Sequence, residues 1–234
     1  MSQIVTDGMT KGLEKTGLVD FVDNFDDTDK EPVVFPVHFP NLLVNGVSGV
    51  STGYATDIAP HNLGELMDAC IHLRRNPGAT VEELMEFVPA PDFPTGGIII
   101  GAEGLKKMYE TGRGAVKFRA KYHIEEDKKR QYIIFDDIPY EMKKGDMVDK
   151  LKEIAQGKKV VGMLDARDES GLEDGESVLR VVVECSKDAD LKVVLGYIFS
   201  KTPMQKNYNM NMVAIKGGKP VRMGIKEILV EFND

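Results

Sequence analysis

The chain has 234 residues, of which 42% are hydrophobic and 29% are charged, and its 38 acidic and 30 basic side chains give a net charge of −8. That length suffices for one large domain or two small ones, and the composition excludes a disordered or fibrous protein. No apolar run approaches the ~18 residues of a membrane-spanning helix, and the first four residues do not begin a secretory signal.

The first 60 residues show little helical periodicity. Residues 1–15 can form a helix, but Gly8 and Gly12 weaken it and no capping residue opens it, which is typical of an element that begins upstream. Residues 1–31 contain eight acidic and three basic side chains, and we interpret them as an acidic N-terminal segment. Four prolines predict extended segments and loops over residues 32–60.

Two capped helices and a buried strand follow. Asn62 with Glu65, and Thr80 with Glu83, have the spacing of helix-capping pairs, and apolar residues recur at helical spacing after each. Residues 98–100 are three isoleucines between glycines, which predicts a short buried strand before a helix over residues 102–110.

Residues 115–124 alternate strictly and predict one ten-residue strand, paired in a hairpin with residues 131–136. Its polar face consists of Lys117, Arg119, Lys121 and His123. Two interpretations of this face stay open. It is either the solvent-facing side of an antiparallel sheet or a contact surface for a polyanion.

The remaining elements complete the fold prediction. The pattern indicates helices near residues 146–156 and 190–199 and from Ile225 to Phe232, strands near 160–166 and 177–185, and a hairpin over 208–223. Helices interleaved with at least two hairpins predict an α+β fold, with a mixed or antiparallel sheet and flanking helices.

The charge distribution modifies what the net charge implies. An acidic chain argues against a nucleic-acid partner, because phosphate binding depends on cations. However, residues 102–130 contain nine basic side chains and residues 201–226 contain six with no acid. These stretches either form a basic surface or face solvent on different sides.

Motifs for catalysis or metal binding are absent from the sequence. The histidines and cysteines lack zinc-ligand spacing, and no nucleophile motif occurs, so we expect no metal site and no cofactor on this chain. The pairs Asp136–Asp137 and Asp165/Asp168 have divalent-cation chemistry but are also typical of turns. Two cysteines are too few for a disulfide framework, which favours a reducing, cytoplasmic compartment.

The glycine-rich segment 45–53 has the most unusual local composition. It is similar to phosphate-binding loops only in composition, because it lacks a Gly-Lys-Ser/Thr ending and no helix follows it directly. Its small residues permit close approach to another surface, with Val50 as the bulky apolar side chain near its centre. Composition alone favours Val50 packing on its own domain.

Seven segments resemble, in the same order, the breakage-reunion (A) subunit of bacterial type IIA DNA topoisomerases. They are FPNLLVNG (39–46), GYATDIAPHNL (53–63), PAPDFPTG (89–96), TGRG (111–114), IPYE (138–141), RDES (167–170) and NMVAI (211–215). The resemblance runs from about Val19 to Phe232. GYATD (53–57) and NFDDT (24–28) are more similar to the topoisomerase IV A subunit than to the DNA gyrase A subunit.

The resemblance implies a tower domain over residues 32–232, with residues 1–31 as the tail of a winged-helix domain. The family's catalytic tyrosine lies in an A-A-x-R-Y-T stretch of that winged-helix domain, and none of the seven tyrosines here lies in such a stretch. We therefore expect no catalytic residue on this chain and no DNA cleavage by it alone. The full ATP-dependent isomerase would pass one duplex through a transient tyrosine-linked double-strand break. ATP and Mg²⁺ would bind the partner B subunit, in a heterotetramer with a dimer of A subunits.

The resemblance also implies a role for segment 45–53. The family bends double-stranded DNA by inserting an apolar tower side chain between base pairs, and the matching position is Val50, where isoleucine is usual. The further expected DNA contacts are Asn45, Gly46, Ser48, Gly49, Arg113, Lys117, Arg119 and Lys121. Two other functions stay open: a stand-alone, non-catalytic DNA-bending or inhibitory module, and an unrelated α/β enzyme that binds a small molecule at segment 45–53.

Overall fold

A computed structural model describes residues 3–15, 17–173 and 176–233 of the chain. Its helices are α1 (Gln3–Thr10), α2 (Asn41–Asn45), α3 (Leu63–Arg75), α4 (Val81–Met85), α5 (Ala102–Thr111), α6 (Lys144–Gln156), α7 (Leu191–Lys201) and α8 (Ile225–Asn233). Its strands are β1 (Phe21–Asp23), β2 (Lys30–Pro32), β3 (Val47–Ser51), β4 (Tyr54–Ile58), β5 (Ile98–Ile100), β6 (Arg113–Arg119), β7 (Tyr122–Glu126), β8 (Arg130–Phe135), β9 (Met163–Asp168), β10 (Gly171–Glu173), β11 (Glu176–Val178), β12 (Val181–Ser186), β13 (Gln205–Asn211), β14 (Val213–Lys216) and β15 (Lys219–Arg222). The predicted α+β fold is confirmed.

Two antiparallel sheets organise the molecule. The larger has the strand order β3-β4-β13-β6-β5, and the smaller has the order β7-β8-β12-β9. Three two-stranded ribbons, β1-β2, β10-β11 and β14-β15, complete the pairing in the described part of the chain. Short hairpins account for the β3-β4 and β7-β8 pairings, whereas β13 pairs with β4 and β6, and β12 pairs with β8, across long stretches of the chain.

Each sheet has its own hydrophobic core. The first core lies between the larger sheet and α2, α3, α4, α5 and α8, and it draws on residues 43–118 and 208–229. The second lies between the smaller sheet and α6 and α7, and it draws on residues 120–204. We call these the first and second units. The second unit is inserted between β6 and β13, which pair along their whole length.

The capping predictions are confirmed. The Asn62 side chain accepts hydrogen bonds from the backbone N–H groups of Gly64 and Glu65 at the start of α3. Thr80 and Glu83 form a reciprocal capping box at the start of α4. Each cap satisfies backbone donors that a helix N-terminus leaves without a partner.

Three local predictions are wrong. Residues 32–60 are not only extended segments and loops, because Asn41–Asn45 form the helix α2; β3 and β4 agree with the predicted extended segments. The isoleucine strand β5 is an edge strand with Ile98 46% exposed, not a buried one. The C-terminal hairpin is β14-β15 alone, because β13 pairs with β4 and β6 instead.

The predicted ten-residue strand 115–124 is also wrong. The chain leaves the larger sheet after Arg119 and enters the smaller one at Tyr122. Ala120 donates its N–H to the carbonyl of Met204, and Lys121 donates its N–H to Oδ1 of Asp137 at 2.6 Å. These long-range hydrogen bonds turn the chain into the second unit although the alternation of side chains continues.

Candidate nucleic-acid interface

The β3-β4 hairpin projects from the edge of the larger sheet. It begins at Gly46, whose φ of 65° is in the left-handed region, and a Cβ there would overlap the carbonyl oxygen of Ile58. All five residues of β3 are exposed, and Val50 is opposite Ala55 in the pairing register. Val50 is 89% exposed. It therefore does not pack on its own domain.

A buried hydrogen-bonded pair fixes the base of this hairpin. His61 donates its backbone N–H to the Leu43 carbonyl at 2.9 Å, and its Nδ1 lies 3.2 Å from the same oxygen. Its Nε2 lies 3.0 Å from the Tyr109 hydroxyl. Burial lowers the pKa of His61 to about 4, so the ring is neutral near pH 7. Nδ1 then donates to Leu43, and Nε2 accepts from Tyr109.

Two side chains brace the hairpin from the side. The Thr56 hydroxyl donates to the carbonyl of Val213 at 2.8 Å, and the Asn211 amide donates to the carbonyl of Ala55. Because these contacts cross to β13 and β14, only the outer part of the hairpin, around Val50, is free of the body of the protein.

Strands β6 and β13 present a basic and amide-rich face next to the hairpin. Arg113 and Lys117 are exposed on β6 and lie opposite Asn211 and Asn207 of β13, respectively. Buried residues alternate with these positions on both strands, so the opposite faces of β6 and β13 pack on the first core. None of the outward positions of β6 and β13 is acidic. Such a face attracts polyanions without sequence preference.

The pairing register gives the distance between this face and the hairpin. Ser48 is opposite Asp57, Asp57 is opposite Asn211, and Asn211 is opposite Arg113. Three strand spacings of about 4.8 Å separate Ser48 from Arg113, and Val50 lies about 7 Å farther along its strand. Val50 is therefore about 16 Å from Arg113 across the sheet.

The structure does not bring all four predicted cations of residues 117–123 together. Arg119 is half-buried, donates from Nε to Oε1 of Gln205 at 2.7 Å, and lies 4.7 Å from the ring centroid of Phe199. Lys121 lies after the end of β6, in the connection to the second unit.

His123 is also separated from this face. It lies on β7 between Asp136 and Glu125, and hydrogen bonds to these carboxylates raise its pKa. The predicted continuous cationic face is therefore wrong, and Lys117 is the member that stays beside Arg113.

The whole chain matches one protein family. The family model described as DNA gyrase/topoisomerase IV, A subunit, matches residues 1–234. The chain belongs to this family. It is 50% identical over 225 residues to the DNA topoisomerase 4 A subunit of Streptococcus pyogenes serotype M18, and this match covers 96% of the chain and 27% of that protein.

Other members of the family match over a similar region. The chain is 49% identical over 212 residues to the DNA topoisomerase 4 A subunit of Bacillus subtilis, covering 90% of this chain and 26% of that protein. It is 42% identical over 215 residues to the DNA gyrase A subunit of Staphylococcus epidermidis, covering 92% of this chain and 24% of that protein. The chain thus spans about a quarter of the length of these relatives.

The structure adds two basic residues to this family member's candidate surface. Arg222 of β15 and Lys107 of α5 are exposed and lie with Arg113 around two adjoining clefts of about 470 and 490 Å³. Both residues belong to the basic stretches of the sequence. Lys107 reaches the cleft because α5 packs on β6. Arg222 is 109 positions after Arg113 in the sequence, and β15 brings it back to the same cleft. No local pattern in the sequence predicts this grouping.

Three of the four aspartates considered for cation binding form contacts within the protein. Asp136 and Asp137 accept hydrogen bonds from His123 and from the Lys121 backbone, and Asp168 pairs with Lys144 at 2.8 Å. No group of three potential metal ligands occurs among the residues that the structure describes. Burial raises the pKa of both cysteine thiols to about 11, which keeps them protonated.

The depressions beside segment 45–53 do not favour the small-molecule alternative. The cleft lined by Asn45, Ser48 and Asp57 measures about 160 Å³, below the roughly 300–1,000 Å³ of ligand sites. A groove of about 380 Å³ runs along the other side, from Val50 to Ile215, but none of its lining residues is charged. Its polar side chains are the hydroxyls of Ser51, Tyr54 and Thr56, and the Thr56 hydroxyl is already bonded to the Val213 carbonyl.

The helices of the described residues are five to 13 residues long. None of them combines the length and apolar character required to cross a bilayer.

Proposed function

We propose that this chain is the part of a type IIA DNA topoisomerase A subunit that binds and bends double-stranded DNA, with the β3-β4 hairpin as the bending element. The observation that supports it best is the 89% exposure of Val50 on a hairpin whose base is fixed by buried hydrogen bonds. A large apolar side chain at the tip of a braced hairpin has no folding role there. Its chemistry suits insertion between base pairs.

In this proposal, insertion and charge act together. Unstacking one base step costs a few kcal/mol, and the cost is offset when the bent duplex contacts more basic surface. Val50 is β-branched and therefore stiff at χ1, which suits a wedge. Arg113 lies about 16 Å from Val50 and Lys117, four residues farther along β6 on the side away from Val50, about 25 Å from it, and both would bind the backbone of the same duplex. The hairpin would fit closely into a groove of the DNA because the residues beside Val50 are small or short: Asn45, Gly46, Ser48 and Gly49. Two further cations, Arg119 and Lys121, would add positive charge at the edge of the DNA contact.

The wider assignment follows from the family. Identity is higher to the two topoisomerase IV A subunits named above than to the gyrase A subunit, so we assign the chain to the topoisomerase IV type. Residues 32–232 would be the tower domain and residues 1–31 the end of a winged-helix domain. The catalytic tyrosine would lie outside this chain, and ATP and Mg²⁺ would bind a partner B subunit. The whole ATP-dependent isomerase would act on DNA in the cytoplasm as an A₂B₂ assembly.

A binding and bending measurement tests this function. The 234-residue chain is titrated into a 40-base-pair duplex with donor and acceptor dyes at its ends, at several salt concentrations. We expect energy transfer to rise on binding, and affinity to fall steeply as salt rises because counterions are released from the phosphates. Binding without a change in energy transfer would contradict the wedge, and no binding at low salt would contradict the DNA contact.

A further inference from the structure

We infer that Arg113, Arg222 and Lys107 form an anchoring site for one backbone phosphate of the duplex, at a fixed distance from the base step that Val50 opens. We call this site the arginine cleft. The inference rests on the proposed DNA bending, and it adds a defined second contact that sets where the bound duplex is held relative to its kink.

The arginine cleft consists of two adjoining depressions that share Arg113, Gly114, Ala115 and Arg222. One extends to Lys107 and Thr111 at the end of α5, and the other extends to Asn209 and Asn211 of β13. Cationic groups and amide N–H donors converge there, and none of the described residues that line either depression is acidic. This donor set suits a phosphate oxygen.

Arg222 is already held in place for such a contact. Its Nε donates to Oδ1 of Asn211 at 2.9 Å, which uses one of the five N–H donors of the guanidinium and leaves the four on the terminal nitrogens. A guanidinium fixed in this way loses less conformational entropy when it binds a ligand.

The use of the arginines differs between the two units. Arg130, Arg167 and Arg180 of the second unit are all paired with carboxylates, Arg180 with both oxygens of Glu125. Among the residues that the structure describes, no carboxylate lies within ion-pairing distance of Arg113 or Arg222. Unneutralised cations around a depression indicate an anionic ligand from outside the chain.

The strand-pairing register predicts which phosphate of the duplex binds the arginine cleft. Arg113 lies about 16 Å from Val50 across the sheet, and successive phosphates of one strand are about 3.4 Å apart along the helix axis. The anchored phosphate is therefore about five base pairs from the step that Val50 opens.

Neutralising single phosphates of the duplex tests this predicted position. A 40-base-pair duplex receives a central nick, where unstacking costs least, and single methylphosphonates replace the phosphates three to seven steps from the nick, one at a time. The affinity of the 234-residue chain is measured by fluorescence anisotropy at low salt. We expect a five- to tenfold loss for the methylphosphonate about five steps from the nick, and at most twofold at the outer positions.

Protein variants complete a double-mutant cycle. Arg222→Gln should weaken binding five- to tenfold and make the chain insensitive to the methylphosphonate at that position. Asn209→Asp keeps the shape of the cleft but adds a negative charge, and it should also weaken binding. Because this variant retains the Arg222–Asn211 hydrogen bond, its effect cannot come from the loss of that bond on folding. Arg75→Gln, an exposed arginine of α3, is the matched control and should bind like the wild type.

The outcomes separate the anchoring site from the proposed function. If all methylphosphonates act alike, or if Arg222→Gln behaves like Arg75→Gln while the wild type still binds and bends DNA, the arginine cleft is not an anchor and the function stands. If the wild type does not bind at low salt, the function itself fails. Inorganic phosphate, at the same concentration of phosphate groups as the duplex, should not displace the duplex from the chain. Saturable displacement would show that the cleft binds free phosphate and would overturn the anchoring site.

Discussion

The substitution Val50→Ala separates a wedge from a folding role most sharply. Val50 is 89% exposed, so the loss of two methyl groups should change the free energy of unfolding by less than about 0.5 kcal/mol. Between base pairs the same side chain would be buried. At about 0.8 kcal/mol per buried carbon, the variant loses about 1.6 kcal/mol of insertion free energy. The ratio of bent to unbent bound DNA should therefore fall roughly 15-fold.

End-to-end energy transfer on the labelled duplex measures the bent fraction, and urea unfolding measures the stability. Val161→Ala is the matched control, because Val161 is 92% exposed in the second unit and far in sequence from the hairpin. Val50→Ile, which restores the residue usual in the family, should raise the bent fraction about fourfold through one added methylene. Equal bending by wild type and Val50→Ala, with normal binding, would refute the wedge.

Three further predictions concern the base of the hairpin. Tyr109→Phe leaves the buried Nε2 of His61 without its hydrogen-bond donor. It should lower the free energy of unfolding in urea by about 1–3 kcal/mol. An unchanged free energy of unfolding would show that this hydrogen bond does not fix the base of the hairpin. Gly46→Ala should destabilise the chain by more than about 1 kcal/mol because of its positive φ and the overlap with Ile58, whereas Gly145→Ala in α6, with open space around it, should not. The pKa of His61 falls from 6.5 to about 4 on folding, so the unfolded chain binds the extra proton between these values. Stability should therefore decrease as the pH falls from about 6.5 to about 4, and a His61→Gln variant that keeps the same slope in this window would contradict the assignment.

Local signals in the sequence suffice for much of the fold. The helix caps at Asn62 and Thr80 lie next to the residues that they cap, so short-range spacing reveals them. The break after Arg119 is different in kind. Its cause is the hydrogen bond from Ala120 to Met204, 84 residues away in the chain, and the alternation of apolar and polar residues continues through it without a change.

In the candidate site, too, some features can be predicted from local sequence and others depend on contacts between distant segments. The resemblance directs attention to Val50, but the small residues of segment 45–53 conceal that Val47–Ser51 form a strand paired with β4. Arg222 reaches Arg113 only through tertiary packing, so no spacing rule connects the two. Conversely, Lys121 and His123 satisfy a perfect local pattern and are nevertheless separated from Lys117 by the change of sheet.

The insertion of the second unit has a consequence for how such chains can diverge. Arg119 and Gln205 are directly opposite each other where the two strands leave the larger sheet, so the ends of the inserted 85 residues meet as neighbours. A tight turn of a few residues would join those ends without disturbing the packing of the first core. Segments of other lengths and architectures can therefore be exchanged at this junction, while the hairpin bearing Val50 and its basic neighbours keep their geometry.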